Sequence, residues 1–288
     1  MAVPVILAAL SAIGFGCGDL LGGVATRRAG RSESSIGLAM VASMVGAVLV
    51  GLYLLVRPPE LVQTSDLVWS AAAGLLMATT RPLVYLGMAR GPVAVFGPVF
   101  SLTMIAVPAI ASPFVGQDLV VVEVLGLALA AVAVVLLSGE GRLPRPSRLL
   151  RSPVIGMAMI VGGNIGLCGI FLSQAAPEAG EVPVFVVLVS GVVVLPLFVR
   201  VRTGSFRPDK AIVGFGLVLG LSSATALALS TAAYLRGSAA VVTALIALAP
   251  GVSVAIAWRF LGERVFPMQV VGGLFAVAAV AAFAMAGH

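Results

Sequence analysis

Charge is scarce in this chain: Asp, Glu, Lys and Arg together make up 10% of 288 residues, against 60% hydrophobic ones. A soluble domain carries about a quarter of its residues charged. With mean hydropathy at +1.18, water is excluded as the solvent for most of the surface. Histidine is nearly absent too, since the single one is the terminal His288, and only two cysteines occur, Cys17 and Cys168, both inside apolar runs. That removes the material for a metal cluster, a disulfide framework or a His-based acid–base pair, so no cofactor is expected and an intramembrane enzyme has no constellation to work with. A Gly-x-x-x-x-Gly-Lys-Ser/Thr loop is missing, which excludes direct use of ATP. The pI near 10.3 does not signal nucleic acid, because the basic residues stand in short loops without interleaved aromatics. Met1-Ala2-Val3-Pro4 lacks the cationic region of a secretory signal, so the first apolar run reads as a retained span.

What the chain has is apolar length. About 20 apolar residues cross a bilayer core of about 30 Å. Runs between breaker clusters predict ten helical spans near 4–24, 35–56, 67–89, 92–115, 119–138, 153–174, 182–199, 211–235, 238–261 and 267–286. The polar segment 139–152, rich in Arg, Pro and Gly, divides them into a first five-helix unit (1–138) and a second (153–288). An offset of 146 residues sets Arg90-Gly91-Pro92 on Arg236-Gly237-Ser238, Phe114-Val-Gly-Gln117 on Phe260-Leu-Gly-Glu263, and Gly126 on Gly272. Five is odd, so the second unit enters the membrane in the opposite sense. The expected fold is therefore an all-α membrane protein of ten transmembrane helices, as two inverted repeats around a central cavity.

These features together resemble the EamA-type transporters of the drug/metabolite transporter superfamily. The resemblance is carried by the ten-span hydropathy, the tight Arg-Gly turns after spans three and eight, and Phe260-Leu-Gly-Glu-Arg264 leading through Gln269 and Gly272 into the last helix. It implies a basket in which helices one to four and six to nine enclose a cavity, with five and ten peripheral. It also implies alternating-access transport of small metabolites or drugs, such as amino acids or organic ions, with export the expected direction. A facilitative channel or uniporter is the other reading.

Alternating the loops between two sides sorts the charge. Fourteen of the seventeen basic residues, from Arg27 and Arg28 to Arg259 and Arg264, fall on the side of loop one, while the side of the termini holds Arg57, Arg236 and six acidic residues. Positive charge marks the cytoplasmic side, which places the odd-numbered loops inside and both termini outside a cell membrane. Relatives in the resembled family are usually drawn with termini inside.

A charged side chain in mid-span costs several kcal/mol and usually faces protein interior or a wet cavity. Asp19 in span one and Arg81 in span three lie about 10 to 13 Å inside the same end, at 1.5 Å per residue. Arg81 is either an anion-capturing fork on the cavity wall or the counter-ion of Asp19. Asp19 is a candidate proton-coupling carboxylate, as the embedded acid of helix one is in the related small multidrug transporters; pairing with Arg81 would oppose that role. Tyr85 stands one turn from Arg81 on the same face. Asn164 is the polar residue of the glycine-rich span six, the counterpart of span one with Gly14, Gly18 and Gly22. Ser230 and Thr231 represent the hydroxyl-rich span eight. These six are the predicted substrate contacts. Trp69 and Trp258 read equally as interface anchors or ligand platforms. Pro98, Pro108, Pro113 and Pro250 mark spans four and nine as bendable. The expected partners are a small-molecule substrate, the lipid bilayer and protons, in a monomer or homodimer.

Overall fold

The structure is a computed structural model, described for residues 2–30, 33–90, 93–138, 154–203, 210–261 and 264–286. The predicted linker 139–152 and the Gly91-Pro92 turn lie outside the described residues, as do Gly262-Glu263 and His288.

Among the described residues all regular structure is helical, as a chain immersed in hydrocarbon requires: only helices satisfy every backbone N–H and C=O within one segment. The α-helices are α1 (Ala2–Ala29), α2 (Glu33–Val56), α3 (Thr64–Arg90), α4 (Val93–Ala111), α5 (Val121–Leu137), α6 (Val154–Leu172), α7 (Val182–Thr203), α8 (Lys210–Tyr234), α9 (Ala239–Ile246), α10 (Ala249–Leu261) and α11 (Pro267–Met285). Each expected span contains a helix. Span nine is divided between α9 and α10, and the break precedes Pro250, whose missing N–H is harmless only in a first helical turn. Pro113 falls in a 3-10 turn after α4, closed by Gly116 at φ 71°, so it ends that helix instead of bending it.

Among the described residues eight helices are long and apolar enough to cross a membrane, with α9 and the start of α10 counted as one; Val121–Leu137 and Val182–Leu197 are shorter. The 17 residues of α5 extend only about 26 Å, slightly less than the hydrocarbon core. In α7 the apolar stretch stops before Arg200 and Arg202.

The helices pack in interleaved fashion. α1 lies on α8 and α3, α6 lies on α3 and α4, α2 and α7 contact each other and flank α8 and α3 respectively, and α5 pairs with α11 at the periphery. Polar hydroxyls join these neighbours: Ser11 Oγ donates to Ala226 O at 2.8 Å, Ser222 Oγ to Gly14 O at 3.1 Å and Ser253 Oγ to Gly16 O at 3.0 Å.

Several contacts recur at the 146-residue offset. The Val120 N–H donates to Glu123 Oε2 at 3.0 Å at the start of α5, and the Phe266 N–H to Gln269 Oε1 at 3.0 Å at the start of α11. Gly126 receives the ring of Phe283, and Gly272 receives Leu137. Gly16 lets α1 approach Ala249, and Gly162 lets α6 approach Thr103, its counterpart.

The connections meet in two groups. Near the N-terminus, Pro4 packs on Gly237, Gln117 Oε1 accepts from the Ala239 N–H at 2.9 Å, and the N–H groups of Glu60 and Leu61 donate to Glu178 O at 3.2 and 3.3 Å. Buried Asp66 completes this face, accepting from the N–H of Gln63 at 2.8 Å and of Ala176 at 2.9 Å. At the opposite end Arg27 Nη2 donates to Met88 O at 3.1 Å.

Candidate functional site

α1 and α3 pass close to each other because α1 is small on the facing side. The Tyr85 ring occupies the space a side chain at Gly22 would need, and Met88 does the same at Gly23. This approach sets Asp19, the partly buried carboxylate of α1, beside Arg81, which is buried at 9% exposure on α3. Pro82, immediately after Arg81, removes one backbone hydrogen bond within α3 at the same level.

Asp19, Arg81 and Tyr85 all line one interior cavity of about 60 Å³. Its remaining wall is apolar and hydroxylic, with Phe15 from α1, Met104 from α4, Ile165 from α6, Ser223 from α8 and Ile246 from α9 among the contributors. A water needs about 10 to 15 Å³ of such space, so this volume holds about four to six waters or one very small solute. Arg81 also borders a second space of about 10 Å³ between α2, α3 and α7, next to Ser43 and Gly191.

Electrostatically, Arg81 is the charge that acts on Asp19, yet no ion-pair contact within 4.0 Å joins the two among the described residues. The Tyr85 hydroxyl is directed at Ser223, so α3 and α8 meet across the cavity. Asn164 does not line the cavity itself. Its Nδ2 donates to Oγ1 of Thr80, at 2.9 Å, and Thr80 lies on the wall. Ser230 and Thr231 are placed elsewhere: Ser230 Oγ bonds Leu227 O at 2.9 Å in its own helix, and Thr231 Oγ1 is buried without a hydrogen-bond partner. Trp69 packs its ring 5.5 Å from that of Phe171, and Trp258 is 59% exposed, so both tryptophans stand away from the cavity. Cys17 and Cys168 are free thiols, and among the described residues no group of three or more His, Cys, Asp or Glu could hold a metal.

Sequence reading missed Thr80, Ser223 and the apolar lining. A signal for part of it existed in the offset, which aligns Asp19 with Ile165, Met77 with Ser223 and Phe100 with Ile246; all six line the cavity.

A bundle of long apolar helices with charged side chains turned inward onto a small cavity defines a multi-pass membrane protein with an interior polar site. Residues 3–139, just under half of the chain, match the model of the EamA-like transporter family, a family of membrane transporters of small solutes. One solved structure, described only as the crystal structure of a protein, superposes with a TM-score of 0.71 at 16% identity over 96% of each chain, a likeness of fold. Among curated proteins none matches the sequence.

Proposed function

We propose that the protein is a secondary active transporter that exports small metabolites or drugs across the cell membrane by alternating access, with Asp19 exchanging protons for substrate. The observation that carries this reading is the cavity: Asp19 and Arg81, the two charges placed deep in apolar helices, both open onto it at the centre of the interleaved bundle. A space of about 60 Å³ is too small for most metabolites, so substrate entry requires the helices to part.

Ten crossings in two inverted halves, 1–138 and 153–288 joined by 139–152, complete the proposal. Support comes from the packing. Exchange of each helix for its counterpart carries the α1–α8 contact onto α6–α3, and α2–α8 onto α7–α3. The paired helix caps and glycine sockets of α5 and α11 add residue-level support at the same offset. The basic loops are proposed to be cytoplasmic and both termini external, from the charge asymmetry.

The test is counterflow in proteoliposomes with a panel of amino acids, organic cations and organic anions, with and without a pH gradient. Saturable counterflow driven further by the gradient is expected, and Asp19→Asn should abolish the pH dependence. Non-saturable flux with large single-channel currents would replace the carrier by a channel. Gradient-driven transport intact in Asp19→Asn would remove Asp19 from the coupling.

A further inference from the structure

The outer face of α7 carries a feature that the central cavity does not explain. A groove of about 370 Å³ runs between α3 and α7, lined by Leu75 on one side and by Phe185, Val186, Val189, Ser190 and Val193 on the other. Leu75 and Val193 are exposed, so the groove opens outward to the hydrocarbon around the bundle. The Ser190 side chain takes the space that a Cβ at Gly74 would need, which seats α7 on α3. Its hydroxyl donates to the Val186 carbonyl at 2.8 Å, so the wall is apolar in character.

Val186, Ser190, Val193, Leu197 and Arg200 follow one another at intervals of four, three, four and three residues, which keeps them on a single face of α7. Leu197 and Arg200 are both exposed. The apolar stripe along the groove therefore ends in a positive charge. Ser190 stands about 15 Å from Arg200 at 1.5 Å per residue, the depth of one leaflet in a hydrocarbon core of about 30 Å. Beyond Arg200 the sequence continues with Arg202, Arg207 and Lys210 against a single acid, Asp209.

We propose that this groove holds an acyl chain of one anionic phospholipid, drawn from the leaflet on the side of the basic loops, with its phosphate at Arg200. Any lipid tail can fill an apolar groove, and the charge at its end selects the headgroup. A second copy of the chain is a poorer occupant. Packed about a two-fold axis along the membrane normal, it would bring its own Arg200 to the same depth, like charge against like. The counterpart face in the first half carries neither element of the site: at the 146-residue offset Ser190 corresponds to Met44 and Arg200 to Leu54. A lipid held here is independent of whatever the central cavity carries.

The test titrates the purified full chain in detergent with phosphatidylglycerol, with phosphatidylcholine of the same chain length and with glycerol phosphate, and counts bound molecules by native mass spectrometry. One phosphatidylglycerol should be retained about fivefold more tightly than phosphatidylcholine, the worth of one basic side chain at a lipid surface. Arg200→Gln should remove that preference. Val193→Trp, which fills the groove from its exposed wall, should weaken both lipids. The two substitutions act at opposite ends of the site, so either alone tests it should the other not fold. Equal retention of the two lipids by the parent, an intact preference in Arg200→Gln, or unchanged binding in Val193→Trp overturns the proposal. Displacement of the lipid by equimolar glycerol phosphate would make this a site for a free anion, and a dimer lost in Val193→Trp would give the groove to a second copy; each overturns it too.

Discussion

Thr80 shows how much a single hydroxyl carries in this molecule. It borders the cavity and accepts from Asn164 Nδ2, so it ties the wall of α3 to α6. Thr80→Val keeps the shape and leaves the Asn164 amide with one donor unengaged. A loss of about 0.6 to 1 kcal/mol is expected, read as a lower unfolding midpoint in detergent. Neighbouring Thr79 should be silent under the same change, because its hydroxyl only returns to the carbonyls of Leu75 and Leu76, at 3.3 and 2.9 Å within α3. The difference between adjacent threonines could not be read from sequence. Both stand in an apolar helix whose phase relative to the cavity is not marked by polarity, and the same holds for Ser230 and Thr231 in α8. Arg81 and Tyr85 were legible because a charge buried in mid-span has few tolerable surroundings, and a residue four positions on shares its face.

At the scale of helices, glycines decide which surfaces meet. A side chain at Gly162 would collide with the Phe100 carbonyl oxygen, and one at Gly16 would come within 2.6 Å of the Ala249 carbonyl oxygen. Backbone cannot swing aside as a side chain can. Gly162→Leu is therefore expected to lower stability by about 1 to 3 kcal/mol, as overpacking does. Gly163→Ala is the internal control: nothing lies within 4 Å of its added carbon, and the substitution should be neutral or gain up to about 1 kcal/mol from helix propensity. Thermal unfolding of the two variants side by side separates packing from backbone effects. The glycine pattern announced close approach in α1 and α6, but not the partner, because interhelical contacts depend on tertiary order that no local run encodes.

Glu181, just before α7 on the face of the N-terminus, belongs to the same scale. Burial pushes its carboxyl up from the usual glutamate range, and the Arg236 charge only partly offsets this. One of its oxygens, Oε2, is buried without a hydrogen-bond partner. The folded protein consequently holds this proton more tightly than the unfolded chain does. The stability it lends is complete in acid and is lost as pH rises through the usual glutamate range and then through the raised folded value. Glu181→Gln should unfold at a higher temperature than the parent at neutral pH, with the difference shrinking as the medium is acidified. A gap that widens in acid would contradict this account.

For the whole molecule, the number of crossings sets the direction. If ten helices cross, both termini lie on the side away from the basic loops, and a reporter active only in the cytoplasm should be silent when fused after His288. Activity there would reverse the assignment. The all-helical membrane class and the places of the helices were legible because apolar length is a strong, local signal; that α5 and the apolar part of α7 fall short of the other spans was not. The site was half legible. Its charges stand out against hydrocarbon, whereas Met104, Ile165 and Ile246 are indistinguishable in type from residues that face lipid.

The sockets between α5 and α11 have a consequence of another kind. Gly126 holds Phe283 while Gly272 holds Leu137, so one contact is made twice with the roles exchanged. Two separate copies of a single ancestral chain, related by a two-fold axis, would make such a contact with one glycine and one apolar residue, and any change would have been felt at both sockets together. Within a single chain each socket is free to vary alone: a bulky ring fills one and a slimmer aliphatic chain the other, and at the same offset Asp19 stands against Ile165.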